Sequence, residues 1–381
     1  MPFDFDTVID RRGTDSMKWG RYGDEDIIPL WVADADFASP PAVLEALHAR
    51  VDHAVFGYAD PDKAATEAVV AMLAEEHDWR IEPDWITFTP GLVVAINLCC
   101  RMLEDDQPGV LTVVPIYPPF LMAPRFTNRE SQTVELADTG DRYAFDFDAL
   151  EAAINDRTGM FMFSNPQNPT GRVHTREELE RIGEICVKHD LFVCADEVHC
   201  DLVLDEEKSH QPFATLSPEF AARSITLMGP SKTYNLAGMM CAFAIIPDPA
   251  LRRRFRRVAR GIVTEINTFG YTACRAAYRE CAEWRQDLVS YLRANRDLVE
   301  ARVAEFAGVS MKHVEATYLA WLDCRQGGWK NPVEHFKAAG VELSDGTLFG
   351  MPGFARLNFG CPRATLEEGL ERISRAVSTL T

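Results

Sequence analysis

Apolar residues in the middle of the chain fall into short unbroken runs at 110–114, 160–163, 191–195, 225–228 and 241–246. Runs of this length, bounded by Gly, Pro or Asn, predict strands buried on both faces. Between them the apolar positions shift to a spacing of three and four, which predicts helices over 93–103, 119–127 and 175–189. The last opens on Thr175-Arg176-Glu177-Glu178, a capping box with Thr at the cap and Glu three residues on. Strands alternating with helices imply an α/β fold whose largely parallel sheet is covered by helices on both faces. From about Glu265 the pattern becomes long-helical, through 291–306. It then turns to a smaller α+β series: strand 317–323, helix 332–339, strand 355–359 and helix 366–378. The expected division is a large α/β domain over 46–285 and a small α+β domain from both chain ends, 1–45 and 286–381.

Composition narrows the classes. With 381 residues, 47% hydrophobic and 25% charged, the chain has the makeup of a globular protein with ample core. No apolar run approaches the roughly 18 residues of a membrane span. The acidic start Phe3-Asp4-Phe5-Asp6 lacks the basic-then-apolar order of a signal peptide, so the expected compartment is the cytoplasm. Thirty-nine basic against 58 acidic residues give a net charge of −19, a field that repels nucleic acid and anionic lipid. One basic cluster joins Arg252, Arg253, Arg254, Arg256, Arg257 and Arg260; its helical spacing favours an ion-paired helix face over a nucleic-acid site. The ten cysteines contain no C-x-x-C and sit in apolar patterns. Reduced, buried thiols fit better than disulfides or a zinc centre, and no metal is expected.

Four motifs follow predicted strands, at the junctions where open α/β sheets bind ligands. Ser164-Asn165-Pro166-Gln167-Asn168-Pro169-Thr170-Gly171 could be a plain turn, or a rigid loop presenting the Asn168 amide. Asp196-Glu197-Val198-His199 puts a carboxylate at the end of a buried strand, where it either caps a loop or meets a cationic partner. In Gly229-Pro230-Ser231-Lys232-Thr233-Tyr234-Asn235 the lysine is either a surface residue or an amine held for covalent chemistry. Thr89-Pro90-Gly91-Leu92-Val93 leads into a helix whose free N–H groups suit a phosphate. Taken together they have one chemical meaning. An enzyme using pyridoxal 5'-phosphate needs a lysine for the imine, a carboxylate for the pyridinium nitrogen, a donor for the ring oxygen and a phosphate cradle. Lys232, Asp196, Asn168 and the Gly91-Leu92 turn with Ser231 can supply all four.

N-P-x-N-P-T-G, D-E-x-H and S-K-T-Y-N-L-A-G, in this order, make the sequence resemble the fold-type I pyridoxal-phosphate enzymes, the aspartate aminotransferase superfamily. More narrowly it resembles the MalY/PatB group of carbon–sulfur β-lyases. That likeness runs from Val8-Ile9-Asp10-Arg11-Arg12-Gly13 through Leu30-Trp31-Val32-Ala33-Asp34-Ala35-Asp36-Phe37, Val55-Phe56-Gly57-Tyr58, Tyr117-Pro118-Pro119-Phe120 and Ala316-Thr317-Tyr318-Leu319 to Arg356-Leu357-Asn358-Phe359. The resemblance implies a seven-stranded sheet in the large domain and a homodimer with shared active sites. It makes Lys232 the residue that carries the cofactor, Asp196 the partner of the ring nitrogen and Asn168 the residue facing the ring hydroxyl. Tyr117 stacks on the ring, Tyr58 reaches the phosphate of the neighbouring subunit, and Arg356, with Asn168, binds the substrate carboxylate. His199 stands against the ring hydroxyl, and Gly91, Leu92 and Ser231 hold the phosphate.

The implied activity is α,β-elimination of L-cystathionine or related cysteine S-conjugates to a thiol, pyruvate and ammonia. An aminotransferase on the same scaffold is the alternative, and a regulatory binding role, known for one member of the group, would be an addition to it. Tyr58 and Tyr117 also read as core aromatics, Arg356 as a structural ion-pair partner, and Asp34 and Asp36 as turn residues. Gln167, Ala316 and Met240 stand where the group or wider family often carries His, Gly and a phosphate-binding Arg.

Overall fold

The computed structural model describes residues 2–60 and 62–378. Its centre is a seven-stranded sheet: β1 Ile86–Thr89, β2 Gly109–Val114, β3 Glu130–Glu135, β4 Thr158–Ser164, β5 Phe192–Asp196, β6 Ser224–Met228 and β7 Ala242–Ile245. The spatial order is β1-β7-β6-β5-β4-β2-β3. Only β7 runs antiparallel to its neighbours, β1 and β6; the remaining pairings are parallel. Strands β4 and β6 are buried at every residue, as expected for strands covered on both faces. The two strands that the apolar runs do not announce, β1 and β3, are the edges. β3 is Glu-Ser-Gln-Thr-Val-Glu and alternates exposed with half-buried positions over its last four residues, so it has no continuous apolar run to read.

The helices of seven residues or more are α1 Pro41–Asp52, α2 Lys63–Glu76, α3 Leu92–Arg101, α4 Pro118–Phe126, α5 Arg176–Lys188, α6 Pro249–Ala259, α7 Thr268–Glu280, α8 Ala282–Val303, α9 Pro332–Ala338 and α10 Arg363–Ser378, with two shorter ones, Phe147–Ala152 and Pro218–Ala222, and brief turns between them. The capping box of α5 is present: the Thr175 hydroxyl accepts from Glu178 N, and the Glu178 carboxylate accepts from Thr175 N. The long-helical stretch expected from about 265 through 306 is two helices, α7 and α8, and in α8 Trp284, Leu288, Tyr291 and Leu292 form a buried stripe. Part of the arginine cluster on α6 is ion-paired: Arg252 and Arg256 reach Asp84, and Arg254 reaches Glu104. Arg252 departs from the expected solvated face. It is buried and donates to the carbonyls of Ile246 and Pro247.

A second, antiparallel sheet, β8 Ser310–Met311, β9 Leu319–Asp323, β10 Ser344–Asp345 and β11 Phe354–Asn358, has the order β8-β9-β11-β10. Strand β9 begins at Leu319 rather than at 317, because Thr317 sits at φ 74°, outside strand geometry. The chain's beginning joins this region. Ile28–Pro29 pairs in parallel with Val341–Glu342, and one apolar core runs from Phe5, Leu30 and Phe37 to Leu357, Phe359 and Ile373. All ten cysteines are buried and unpaired. Among the described residues no helix is long and apolar enough to cross a membrane.

Candidate active site

The register of the central strands lines up their carboxyl ends. Ser164 on β4 pairs with Asp196 on β5, and Asp196 with Leu227 on β6. The loops that follow therefore emerge side by side. After β4 the chain closes a tight turn in which Gly171 N donates to Gln167 O at 2.8 Å. Gly171 has φ 71°, and a Cβ there would lie 2.7 Å from Val314 Cγ1, so a side chain is excluded on both counts. After β6, Tyr234 N donates back to Pro230 O, which turns Ser231 and Lys232 toward the sheet end. On the far side Gly91, at φ 100°, caps α3 with no side-chain cap of its own, leaving the first helical N–H groups to face a ligand.

One cavity is lined by Gly91, Leu92, Tyr117, Asn168, Asp196, His199, Ser231 and Lys232. Arg356 joins them through a 3.0 Å hydrogen bond from Nη1 to Asn168 Oδ1. Nine of the ten sequence-derived site residues thus come together. Tyr58 does not: it is fully exposed on the surface and lines no part of this cavity.

The electrostatics of the cavity are those of charges taken out of water. Burial, reinforced by the Arg356 guanidinium, holds the Lys232 amine down at about 8, against the opposing pull of Asp34 and Asp196. Its Nζ donates to Ala33 O at 2.7 Å. Burial pushes the Asp196 carboxyl up to about 7; Val198 N, donating to Oδ1 at 3.2 Å, and Lys232 only partly offset it. Burial likewise keeps His199 well below its usual value and therefore neutral. Arg356 is brought down to about 10 by the same cause. Its Nη2 donates to Trp31 O at 2.9 Å, and its guanidinium lies 4.7 Å over the Phe349 ring. Tyr117 is also raised by burial.

Three features match what a pyridoxal phosphate would need. Asp196 is a buried carboxylate with no cation hydrogen-bonded to it, the counter-charge that a protonated ring nitrogen would supply. His199 Nδ1 is buried without a partner. Gly91, Leu92 and Ser231 border the same cavity at a helix N-terminus, so the residues present fit the group. Arg356 Nε is also buried and unpartnered, while Nη2 serves Trp31 O and the Ser344 hydroxyl, so one N–H of the fork is left for a carboxylate.

Sequence reasoning missed the roof of the site. The segment 31–37 crosses above it, with Ala33 O accepting from both Lys232 Nζ and the Tyr318 hydroxyl. Asp34 and Asp36 are not merely turn residues; they bind Arg11, and Asp36 also binds the fully buried Lys18. The signal available was the pairing of acidic residues with an apolar Trp-Val-Ala run. Behind the floor, Glu197 is buried and accepts from His210 at 2.9 Å and from Phe213 N at 2.9 Å. His77, Cys200 and Asp201 also cluster, but there the Arg285 guanidinium, 3.4 Å from Asp201, supplies the positive charge.

A largely parallel sheet presenting a half-buried lysine, a buried carboxylate and a helix N-terminus at its carboxyl end defines a pyridoxal-phosphate enzyme of the aminotransferase type, and the chain belongs to the aminotransferase class I and II family, whose model matches residues 25–373. Within that family several of its relatives are named cystathionine β-lyases and others aspartate aminotransferases. Cystathionine β-lyase PatB of Bacillus subtilis (strain 168) is 38% identical over 98% of this chain and all of its own. Among solved structures, OvoB superimposes with a TM-score of 0.97 at 41% identity, over 99% of this chain and 100% of that one. Cystalysin from Treponema denticola, solved with pyridoxal 5'-phosphate, gives 0.95 at 32% identity over the whole of both chains.

Proposed function

We propose that this chain is a pyridoxal-phosphate-dependent carbon–sulfur β-lyase that cleaves L-cysteine S-conjugates, cystathionine among them, to a thiol, pyruvate and ammonia. The observation that carries the reading is the convergence of Lys232, Asp196, Asn168 and Arg356 on one cavity. Its similarity to PatB, at 38% identity, supports elimination over transamination. When bound, the cofactor supplies an electron sink for the pair released at the substrate Cα.

The chain's own residues do the rest. Arg356, held by Asn168, Trp31 O and Ser344, offers its unpartnered Nε–H to the substrate carboxylate and so orients the Cα–H bond. Lys232 takes that proton; an amine brought down to about 8 is a competent base near neutral pH. Asp196 would be anionic with a cation facing it, and would hold the ring nitrogen protonated. Tyr117 would cover the ring, His199 and Asn168 would meet its hydroxyl, and the α3 N-terminus with Gly91, Leu92 and Ser231 would hold the phosphate. The pair left when Lys232 removes the Cα proton forms the Cα–Cβ double bond as the Cβ–S bond breaks and the thiolate leaves.

The same reading takes the enzyme as a homodimer in the cytoplasm. Exposed Val55, Phe56 and Tyr58 form an apolar surface suited to a second copy, and ten unpaired buried thiols suit a reducing compartment. It also keeps 46–285 as the unit holding the cofactor and the two chain ends as the unit supplying Arg356. The test is product stoichiometry across a panel of S-substituted cysteines. Pyruvate and free thiol in equal amounts, with no keto acid added, is the expected result. Turnover that requires an α-keto acid and releases no thiol would make the chain an aminotransferase.

A further inference from the structure

We infer that Asp36 is a positioning residue: with Lys18, Arg11 and Trp19 it pins the 31–37 segment over the cavity, so that the carbonyls of Ala33 and Trp31 set where the Lys232 amine and the Arg356 guanidinium stand. The inference rests on the roles of Lys232 and Arg356 proposed above.

On its outer side the segment is held by charge. Lys18 is 0% exposed, and a lysine taken wholly from water requires a close counter-ion. Its Nζ donates to Asp36 Oδ2 at 2.7 Å and to Asp34 O at 3.1 Å. Asp36 Oδ1 accepts from Arg11 Nη1 at 2.6 Å and from Trp19 Nε1 at 2.9 Å. Arg11 Nη2 takes Asp34 Oδ2 at 2.7 Å. Both oxygens of one buried carboxylate are thus occupied by three donors from a single stretch of chain.

On its inner side almost every carbonyl of the segment is used. Trp31 O accepts from Arg356 Nη2 at 2.9 Å and from the Ser344 hydroxyl at 2.7 Å. Ala33 O accepts from Lys232 Nζ at 2.7 Å and from the Tyr318 hydroxyl at 3.2 Å. Val32 O and Asp34 O share the Asn358 amide at 2.6 and 2.9 Å. Asn235, three residues beyond Lys232, holds Ala35 N and Phe37 O. A buried ion pair adds little stability over an apolar pair of the same size. What it fixes is register, and here that register belongs to the acceptors of the two working cations.

Lys232 is faced by Arg356, Asp34, Asp196, the neutral His199 and the Ala33 carbonyl. Loosening the segment withdraws Ala33 O and Asp34 from the amine, opens it to water and releases the Arg356 guanidinium from Trp31 O. The surroundings that set the amine's proton affinity change together, so the pH at which it gives up its proton moves.

The test uses the full chain as wild type, Asp36→Asn, the double variant Lys18→Met/Asp36→Asn and Trp19→Phe. The double variant removes both buried charges in case the single one does not fold; Trp19→Phe removes one donor and keeps the packing. Two quantities are read: the pH midpoint for capture of added pyridoxal phosphate by cofactor-free protein, followed by its visible absorbance, and the kcat and KM for an S-substituted cysteine. The expected result is a capture midpoint moved by about half a pH unit or more, a KM several-fold higher and a kcat lower by about 10²-fold. Trp19→Phe should move in the same directions by less. Folded variants whose midpoint and KM equal those of the wild type would overturn the inference, even if they melt at lower temperature. Capture reports on Lys232 whatever it catalyses. Shifted midpoints in a protein that releases no thiol would support the positioning role and sink the lyase reading alone.

Discussion

Asn168, Asp196 and Lys232 enter the cavity from the ends of three neighbouring parallel strands, each a few residues past a buried apolar run. Arg356 and the 31–37 segment reach the same cavity from opposite ends of the chain and meet there through hydrogen bonds spanning hundreds of residues. The floor is rigid because the sheet is: its strands are buried on both faces. The roof is held by side chains gripping backbone carbonyls. The floor therefore suits the groups that must not move, and the roof suits those that select and orient a substrate. The two can be broken separately.

Lys232→Ala removes the floor's one covalent and basic group, so it has the largest expected effect. Pyruvate formation should fall by about 10⁴-fold or more, and the protein should no longer hold its cofactor through reduction with borohydride. A labelled peptide containing any other lysine would displace Lys232 from its role. Arg356→Lys tests the roof. The buried fork serves Asn168, Trp31 O and a substrate carboxylate together, and a point-charge ammonium cannot copy it. A loss of about 2–4 kcal/mol in kcat/KM is expected, with the cofactor retained. Cofactor loss in this variant would mean that Arg356 belongs to the floor after all.

The difference between floor and roof also explains what could be read from the sequence. The floor is a local code: an apolar run predicts the strand, and the polar residues after it name the chemistry, as at Phe163 to Asn168 and Ala195 to Asp196. The edge strands β1 and β3 escaped because half-exposed strands have interrupted runs. Arg356 lies in a strand buried at every position, and no spacing rule marks it; only the R-L-N resemblance singled it out. Asp36 was read as a turn residue because its partners, Arg11, Lys18 and Trp19, lie 17 to 25 positions away, at no helical or strand period. Contacts of that kind are set by tertiary packing, which local pattern does not encode.

A third, smaller effect sharpens the floor. With Lys232 brought from its ordinary 10.5 to about 8, the neutral amine is the minor form below pH 8 and the major form above it. Cofactor capture by the cofactor-free protein should rise by about tenfold per pH unit up to pH 8 and then level off. A rate still climbing through pH 10 would show a lysine in an ordinary, solvated environment and would contradict the buried floor.

Tyr58 belongs to neither region of its own chain. It stands fully exposed beside Val55 and Phe56, which are 62% and 55% exposed, and Phe56 stacks on Phe269 at 5.4 Å, so the segment is anchored while its outer face is bare. If that face meets a second copy, Tyr58 completes the neighbour's phosphate site. Tyr58→Phe should then weaken cofactor retention by the worth of one charged hydrogen bond, about 1.5–3 kcal/mol. Mixing Tyr58→Phe with Lys232→Ala chains sharpens this into a geometric test. In the hybrid dimer one site has Lys232 from its own chain and Tyr58 from the partner, and the other site has neither. Random assortment makes half the dimers hybrid, so at a cofactor concentration too low for Tyr58→Phe alone, about a quarter of the wild-type sites should return. No gain on mixing, or full activity in a demonstrated monomer, would place Tyr58 outside the active site and leave floor and roof complete within one chain.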